Sequence, residues 1–281
     1  MLSIPLEILF TNINLYNKFW LNLPYININQ IKIFYLENKI RGTPLLFIHG
    51  WLGNSVEWIY QMCYFNSRRH IILIDLPGFG KSDKPNTEYS IEFFTKVIVD
   101  FLISLGYDKV ILIGHSLGGL IAQNLTIQNP KLVKKLILIS TTAISHPVNN
   151  KFKLFWVNII FKLIYNAFLR NTLMRINSLV DENRAFKHQY KKALKIPKSV
   201  VLNTFKHMTY KFKVNEGLTE ISQPTVIIYG TKDKIFSKSM IISLDNLIPN
   251  SELNFIEDSP HRVMVKSSQA VNAIIESFIK E

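Results

Sequence analysis

The chain has 281 residues, of which 48% are hydrophobic and 19% are charged. This balance argues against intrinsic disorder and predicts one large folded domain, or one domain with an insertion. A single cysteine, Cys63, excludes an intramolecular disulfide framework and fits a reducing compartment. No run of 18 apolar residues occurs, and the first basic residue is Lys18, so we expect a cytoplasmic protein that can touch a membrane surface.

The formal net charge of +13 is concentrated in one segment of the chain. Residues 151–215 contain 14 Lys and Arg against 2 acidic residues, and the rest of the chain is nearly balanced. One interpretation is a solvated basic face without a partner. The other is a surface that attracts an acidic carrier protein, an anionic membrane or an anionic substrate. No recognised nucleic-acid-binding motif accompanies the charge, so we expect no nucleic-acid partner.

Short apolar or β-branched runs alternate with segments of helical character. The predicted strands are Ile31–Leu36, Leu45–Ile48, Ile71–Asp75, Val110–Gly114, Leu136–Ser140, Thr225–Gly230 and Glu252–Ile256. The predicted helices are Ser90–Leu105, Leu117–Gln128, Lys238–Leu247 and Ser267–Ile279. This alternation predicts an α/β fold with a mainly parallel sheet that helices cover on both faces.

The alternation is interrupted by a helix-like stretch without a convincing strand. We therefore predict an N-terminal extension, a core in two parts and a helical cap, at residues 1–30, 31–142 with 216–281, and 143–215. Within the cap, Lys151–Arg170 carries one narrow polar stripe, so a helix there must be buried almost all round. It either packs on the core as a lid, or lines an acyl-chain pocket or lies in a membrane interface. Phe155 and Trp156 in this segment are predicted to bind substrate.

The sequence Gly114-His115-Ser116-Leu117-Gly118 lies between a predicted strand and a predicted helix. In that context the pattern predicts a sharp turn that projects the Ser116 hydroxyl above the sheet as a nucleophile. Gly114 and Gly118 relieve the crowding on either side of the strained serine. The backbone N–H of Leu117, at a helix N-terminus, is a predicted oxyanion-hole donor.

A serine hydroxyl is a weak nucleophile until a base accepts its proton. Among the seven histidines, His261 lies in the loop after the last predicted strand, from which it can reach Ser116. An imidazole base needs a carboxylate that holds its tautomer, and Asp233 follows the preceding predicted strand. Asp258 is only three residues from His261 and could instead fix its own loop. The order Ser, Asp, His is one of the known arrangements of a catalytic triad.

Five motifs follow one another along the chain: His49-Gly50-Trp51, Asp75-Leu76-Pro77-Gly78-Phe79-Gly80-Lys81-Ser82, the Gly114–Gly119 turn, Gly230-Thr231-Lys232-Asp233 and Pro260-His261. In this order they resemble the α/β-hydrolase superfamily over residues 31 to 281. The resemblance implies that Trp51 provides the second oxyanion amide and that residues 143–215 form the family's cap domain. It also implies that the loop after Asp75 is structural, with Asp75 bonding backbone amides. We further expect His49 and Gly50 to contact substrate.

The resemblance also narrows the chemistry. Epoxide hydrolases and haloalkane dehalogenases of this fold carry aspartate where this chain has Ser116, so we expect hydrolysis of a carboxylic ester through an acyl-enzyme, without metal or other cofactor. The stretch from His49 to Asn54, with Trp58, is also similar to pimeloyl carrier-protein methyl ester esterases, which dock an acidic carrier on a basic cap. Thioesterase, lyase and carbon–carbon hydrolase activities, or a non-catalytic ligand-binding member of the fold, stay open as alternatives.

Overall fold

The computed structural model describes residues 25–143, 196–208 and 217–280. Most of the predicted cap, including Phe155 and Trp156, lies outside the described residues, so its proposed roles stay predictions. Within the described ranges, no helix combines the length and the apolar character that crossing a bilayer requires.

Eight strands form one sheet in the order β1-β2-β4-β3-β5-β6-β7-β8. The strands are β1 Tyr25–Ile28, β2 Ile31–Glu37, β3 Leu45–Ile48, β4 Ile71–Ile74, β5 Val110–His115, β6 Val133–Ile139, β7 Thr225–Gly230 and β8 Ser251–Ile256. Strand β2 runs antiparallel to both β1 and β4, and all the other neighbours are parallel. The mainly parallel sheet predicted from the sequence is therefore confirmed.

Helices cover both faces of this sheet. The helices that the structure describes are α1 Ile59–Phe65, α2 Ile91–Ser104, α3 Leu117–Gln128, α4 Lys198–Lys206, α5 Lys238–Leu247, α6 Val263–Lys266 and α7 Ser268–Lys280, with 3₁₀ turns at Ser55–Trp58, Pro130–Leu132 and Leu218–Glu220. Alternate residues of β3 enter different cores, since Leu46 packs with α2, α3 and α5 while Phe47 packs with α1, α6 and α7. A strand buried on both faces needs a continuous apolar run, which is what β3 has.

The structure corrects the predicted boundary of the N-terminal extension. Residues Tyr25–Ile28 pair with β2 and belong to the sheet, so the core begins no later than Tyr25. The connecting turn is formed by Asn29 and Gln30, whose φ angles of 49° and 67° suit the tight turns that match strand twist. The usual signal for such a turn is a glycine, and this turn has none.

The carboxyl ends of the parallel strands bring the predicted site residues to one edge of the sheet. Ile48 of β3 is in register with Gly114 of β5, and Gly230 of β7 is in register with Ile256 of β8. The loops that follow these four strands therefore meet at the same edge, where ligands bind in open α/β sheets.

Candidate active site

Ser116 lies in a sharp turn between β5 and α3. Its φ and ψ angles are 51° and −113°, a backbone conformation that a non-glycine residue adopts only when the surroundings impose it. Two hydrogen bonds hold the turn: the Ser116 N–H donates to the Ile139 carbonyl at 3.0 Å, and the Thr141 hydroxyl donates to the Ser116 carbonyl at 2.8 Å. The strained turn presents the serine at the sheet edge, as the sequence predicts.

Glycine is required on either side of Ser116 because a side chain at each position would clash with a different neighbour. A Cβ on Gly114 would lie 2.3 Å from the Gly118 carbonyl oxygen, which is the crowding expected within the turn. A Cβ on Gly118 would instead lie 2.2 Å from the carbonyl oxygen of Ile48 in the neighbouring strand. Gly118 therefore lets the first turn of α3 approach β3 closely.

Asp233 and His261 are joined by a hydrogen bond of 2.8 Å between Oδ2 and Nδ1. The Asp233 side chain is fully buried, and its Oδ1 accepts the backbone N–H groups of Ile235 at 2.7 Å and Phe236 at 3.2 Å. Asp258, by contrast, is 88% exposed and lies 3.7 Å from Lys232 Nζ. Of the two acidic candidates, the structure brings Asp233 to the imidazole.

The environment of His261 favours its neutral form. Burial lowers the pKa of His261 and outweighs the hydrogen bond to Asp233 that raises it, and neighbouring His115 lowers the pKa further. The Nδ1 proton is directed to Asp233, which leaves Nε2 able to accept a proton. His261 can therefore act as a base at neutral pH.

The turn of Ser116 lies against the loop of His261. The ring of His115, the residue before Ser116, has its centroid 4.8 Å from the centroid of the His261 ring. In the part of the chain that the structure describes, the Ser116 hydroxyl makes no hydrogen bond to His261. Catalytic hydrogen bonds often form only when substrate is bound, and the roles of Ser116 and His261 stay predictions.

The peptide that joins Gly50 to Trp51 is held in a fixed orientation beside Ser116. The Gly50 carbonyl accepts hydrogen bonds from His49 Nδ1 at 2.7 Å and from the Gly53 N–H at 3.0 Å. In a trans peptide the N–H points opposite to the carbonyl, so these bonds also set the direction of the Trp51 N–H. A Cβ on Gly50 would lie 3.4 Å from the Ser116 Cβ, which places this peptide against the predicted nucleophile.

The structure corrects the expectation that His49 contacts substrate, while the expected contact of Gly50 with substrate stays a prediction. His49 is fully buried, with Nε2 accepting the Leu76 N–H at 3.0 Å and Nδ1 donating to Gly50, so both nitrogens are used. Burial also lowers the pKa of His49, which keeps the ring neutral. The Gly50 N–H donates to Glu57 Oε2 at 2.9 Å. Both residues shape the turn that precedes the Trp51 amide.

Asp75 has the structural role that the sequence predicts. Its two carboxylate oxygens accept the N–H groups of Ser55 at 2.6 Å and Lys81 at 2.8 Å, and its carbonyl accepts the Ser82 hydroxyl at 2.5 Å. A Cβ on Gly80 would lie 2.0 Å from Asp75 Oδ2, so the loop wraps tightly around the carboxylate. These bonds tie the loop after β4 to the start of the 3₁₀ turn at Ser55–Trp58.

Helix α4, the described part of the predicted cap segment, lies over the Trp51 side of the site. The ring centroids of Phe205 and Trp51 are 5.6 Å apart. Asn203 Oδ1 accepts the Tyr89 N–H at 2.8 Å, which anchors the helix to the loop before α2. Apolar contact above Trp51 fits a site that excludes water from one side.

Sequence reasoning missed a buried acid at this edge. Glu57 Oε1 lies 2.7 Å from His115 Nδ1, and the two side chains are 5% and 3% exposed. The available signal was a carboxylate between the apolar residues Val56 and Trp58, shortly after the Gly50 turn. Among the described residues, no group of three or more His, Cys, Asp or Glu side chains is arranged to hold a metal ion.

Comparison with known proteins places this geometry in a family. The family model described as the alpha/beta hydrolase fold matches residues 43–266. The chain is 27% identical over 286 residues to epoxide hydrolase 1 of Caenorhabditis elegans, covering 92% of this chain and 70% of that protein. It is 26% identical over 255 residues to a pimeloyl-[acyl-carrier protein] methyl ester esterase of Aeromonas hydrophila, covering 87% and 98%.

A solved structure shows the same fold. The esterase EaEST from Exiguobacterium antarcticum matches with a TM-score of 0.75 at 21% identity, covering 92% of this chain and 99% of that one. The family match extends over most of the chain and includes Ser116, Asp233 and His261. The chain belongs to the alpha/beta hydrolase fold family.

Proposed function

We propose that the protein is a serine hydrolase that cleaves a carboxylic ester through an acyl-enzyme formed on Ser116. The observation that carries this proposal is the 2.8 Å hydrogen bond between Asp233 and His261, beside the strained turn that presents Ser116. A neutral imidazole with Nδ1 bonded to a buried carboxylate is the state that a general base requires.

The proposed reaction has two halves, acylation of Ser116 and hydrolysis of the acyl-enzyme. His261 Nε2 accepts the Ser116 proton as Oγ attacks the ester carbonyl, and the backbone N–H groups of Leu117 and Trp51 stabilise the oxyanion. Each such donor contributes about 3–4 kcal/mol of transition-state stabilisation. His261 then protonates the leaving alcohol, and afterwards activates the water that releases the acid from Ser116.

The residue at position 116 separates this proposal from the chemistry named for one relative. The chain is similar to an epoxide hydrolase, but its predicted nucleophile is a serine. From the family resemblance, we expect epoxide hydrolases to carry aspartate at this position. An acyl-serine intermediate suits esters and related acyl compounds. The proposal therefore follows the esterase relative.

We further propose that the ester is presented by an acidic carrier protein. The similarity to a carrier-protein methyl ester esterase and the strongly basic segment 151–215 support this substrate class together. Charge reversal at Lys191, Lys192 and Lys195 should weaken activity on a carrier-bound ester and spare a small soluble ester. Equal effects on both substrates would contradict carrier docking, and binding of the protein to anionic vesicles would favour lipid esters instead.

The experiment that tests the esterase proposal compares wild type with Ser116→Ala on esters whose acyl chain ranges from acetyl to palmitoyl. We expect the variant to lose turnover on every substrate that wild type hydrolyses. The chain length that wild type prefers reports the depth of the acyl site. Wild-type rates in Ser116→Ala, or no hydrolysis of any ester by wild type, would overturn the proposal.

A further inference from the structure

The loop after β8, which carries the proposed base, lies directly on the loop after β7, which carries its carboxylate. The Lys232 N–H donates to the Ser259 carbonyl at 2.8 Å. The Asp258 N–H donates to the Thr231 hydroxyl at 3.0 Å. A Cβ on Gly230 would lie 2.3 Å from the Ser259 carbonyl oxygen, so the absence of a side chain there lets the two loops meet. These contacts set the distance between the loops.

Ser259 is also bonded through its side chain. It is 1% exposed, and its Oγ lies 2.5 Å from the Oγ of Ser267, at the junction of α6 and α7. The same hydroxyl lies 3.2 Å from the Glu257 carbonyl, which can only accept a hydrogen bond. Because a hydroxyl has one proton to donate, Ser259 donates to Glu257, and Ser267 donates to Ser259. The hydroxyl of Ser259 therefore ties its loop to the start of α7.

Only Pro260 separates Ser259 from His261. A proline fixes its own φ angle and restricts the residue before it to extended conformations. Since the carbonyl and the hydroxyl of Ser259 are both bonded, little torsional freedom is left between Ser259 and the imidazole. The position of Ser259 thus helps to set the 2.8 Å hydrogen bond between His261 Nδ1 and Asp233 Oδ2.

We propose that Ser259, through the bond of its hydroxyl to Ser267, is a positioning residue that holds His261 against Asp233. This inference rests on the proposed function for its catalytic consequence, because the rate depends on the place of this loop only if His261 is the base. The hydroxyl of Ser259 is buried and bonded within the protein, so it acts through His261 and not on substrate. Catalytic groups must be held within about 0.5 Å of their productive positions, so a loosened loop lowers the rate.

Two substitutions remove the same hydrogen bond from opposite sides without adding volume. Ser267→Ala removes the shared bond alone, and Ser259→Ala also removes the bond to Glu257. The double variant should therefore match Ser259→Ala, because two residues that share one bond do not act additively. The control is Ser251→Ala at the opposite end of β8, where the serine Oγ lies 2.7 Å from Asp245 Oδ1. All three single variants remove a serine hydroxyl that is bonded within the protein.

The kinetic test separates positioning from general stability. We expect Ser259→Ala to lower kcat about tenfold on a small ester and Ser267→Ala to lower it less, with KM changed less than about threefold. Ser251→Ala should keep kcat within about twofold of wild type, even if its urea midpoint falls as far. An unchanged kcat in Ser259→Ala, or an equal loss in Ser251→Ala, would show a merely structural role. If Ser259→Ala does not fold, Ser267→Ala serves in the same comparison.

The direct test is NMR of the full-length protein with ¹⁵N-labelled histidine, which detects the proton between Nδ1 of His261 and the carboxylate of Asp233. The signal is identified by its absence in His261→Gln. We expect it in wild type and in Ser251→Ala. In Ser259→Ala and Ser267→Ala it should broaden or disappear, because a loosened loop lets the proton exchange with water.

The NMR result distinguishes failure of this inference from failure of the proposed function. An unchanged signal in Ser259→Ala and Ser267→Ala would overturn the positioning role, even if Ser116 proves to be the nucleophile. The expected pattern of signals in a protein that hydrolyses no ester would instead overturn the proposed function and support the positioning of His261.

Discussion

The substitution Asp233→Asn is the sharpest test of the proposed triad, because its effect on each of the three hydrogen bonds of the carboxylate can be worked out. The carboxylate accepts from His261 Nδ1 at 2.8 Å and from the N–H groups of Ile235 at 2.7 Å and Phe236 at 3.2 Å. An asparagine has one acceptor oxygen and one donor nitrogen. If the oxygen faced His261, the amide nitrogen would face two backbone donors in a buried site.

The other orientation is therefore favoured, since each buried donor without an acceptor costs about 1–3 kcal/mol. The asparagine oxygen then keeps the two backbone bonds, and its nitrogen donates to His261 Nδ1. The histidine must carry its proton on Nε2, which can no longer accept the Ser116 proton. The equivalent change in serine-protease triads lowers kcat about 10⁴-fold, which corresponds to about 5 kcal/mol of transition-state stabilisation.

The assay is kcat on the best ester of the acyl series, with unfolding in urea measured in parallel. The control Asp258→Asn makes the same chemical change three residues from His261, at a side chain that is 88% exposed, and should leave kcat within about twofold. We expect Asp233→Asn to stay folded and lose about 10⁴-fold in kcat. A loss below tenfold, or a larger loss in Asp258→Asn, would refute the reasoning.

Three further predictions follow from individual contacts. Gly118→Ala places a methyl group 2.2 Å from the Ile48 carbonyl oxygen and should lower the free energy of unfolding by at least about 3 kcal/mol; a loss below 1 kcal/mol in urea unfolding would contradict the close approach. Because burial first and His115 second lower the pKa of His261, and the base must be unprotonated, kcat/KM should be full at neutral pH and fall with a midpoint below about 6.5; a midpoint above 7 would oppose this. Lys135→Met removes the 2.6 Å hydrogen bond to the Phe278 carbonyl at the end of α7 and should cost about 1–2 kcal/mol, and unchanged unfolding would show that water replaces it.

The sequence predicts the parallel sheet because each central strand is a continuous apolar run buried on both faces. It predicts the Ser116 turn because the strained backbone of the serine needs small residues on either side. The contact that excludes a side chain at Gly118, however, comes from Ile48, which lies on the distant strand β3. The start of β6 is predicted three residues late, since Lys134 and Lys135 interrupt the apolar pattern. Lys135 is buried there because its ammonium reaches the Phe278 carbonyl.

The errors in the site have a common physical cause. His49 belongs to a motif near Ser116, and proximity along the sequence suggests contact with substrate. Its actual partners, Gly50 and Leu76, follow two different strands and meet only in the folded sheet. Glu57 was missed for the same reason, because the histidine that it faces lies 58 positions away at His115.

The central claim is that Ser116 is an activated nucleophile, and reaction with a fluorophosphonate probe tests it most directly. The probe is incubated with folded wild type, and the adduct is located by mass spectrometry of the digested protein. We predict one stoichiometric adduct on Ser116, lost in Ser116→Ala and formed far more slowly in Asp233→Asn. No adduct on native wild type, or an adduct on another serine, would contradict the account.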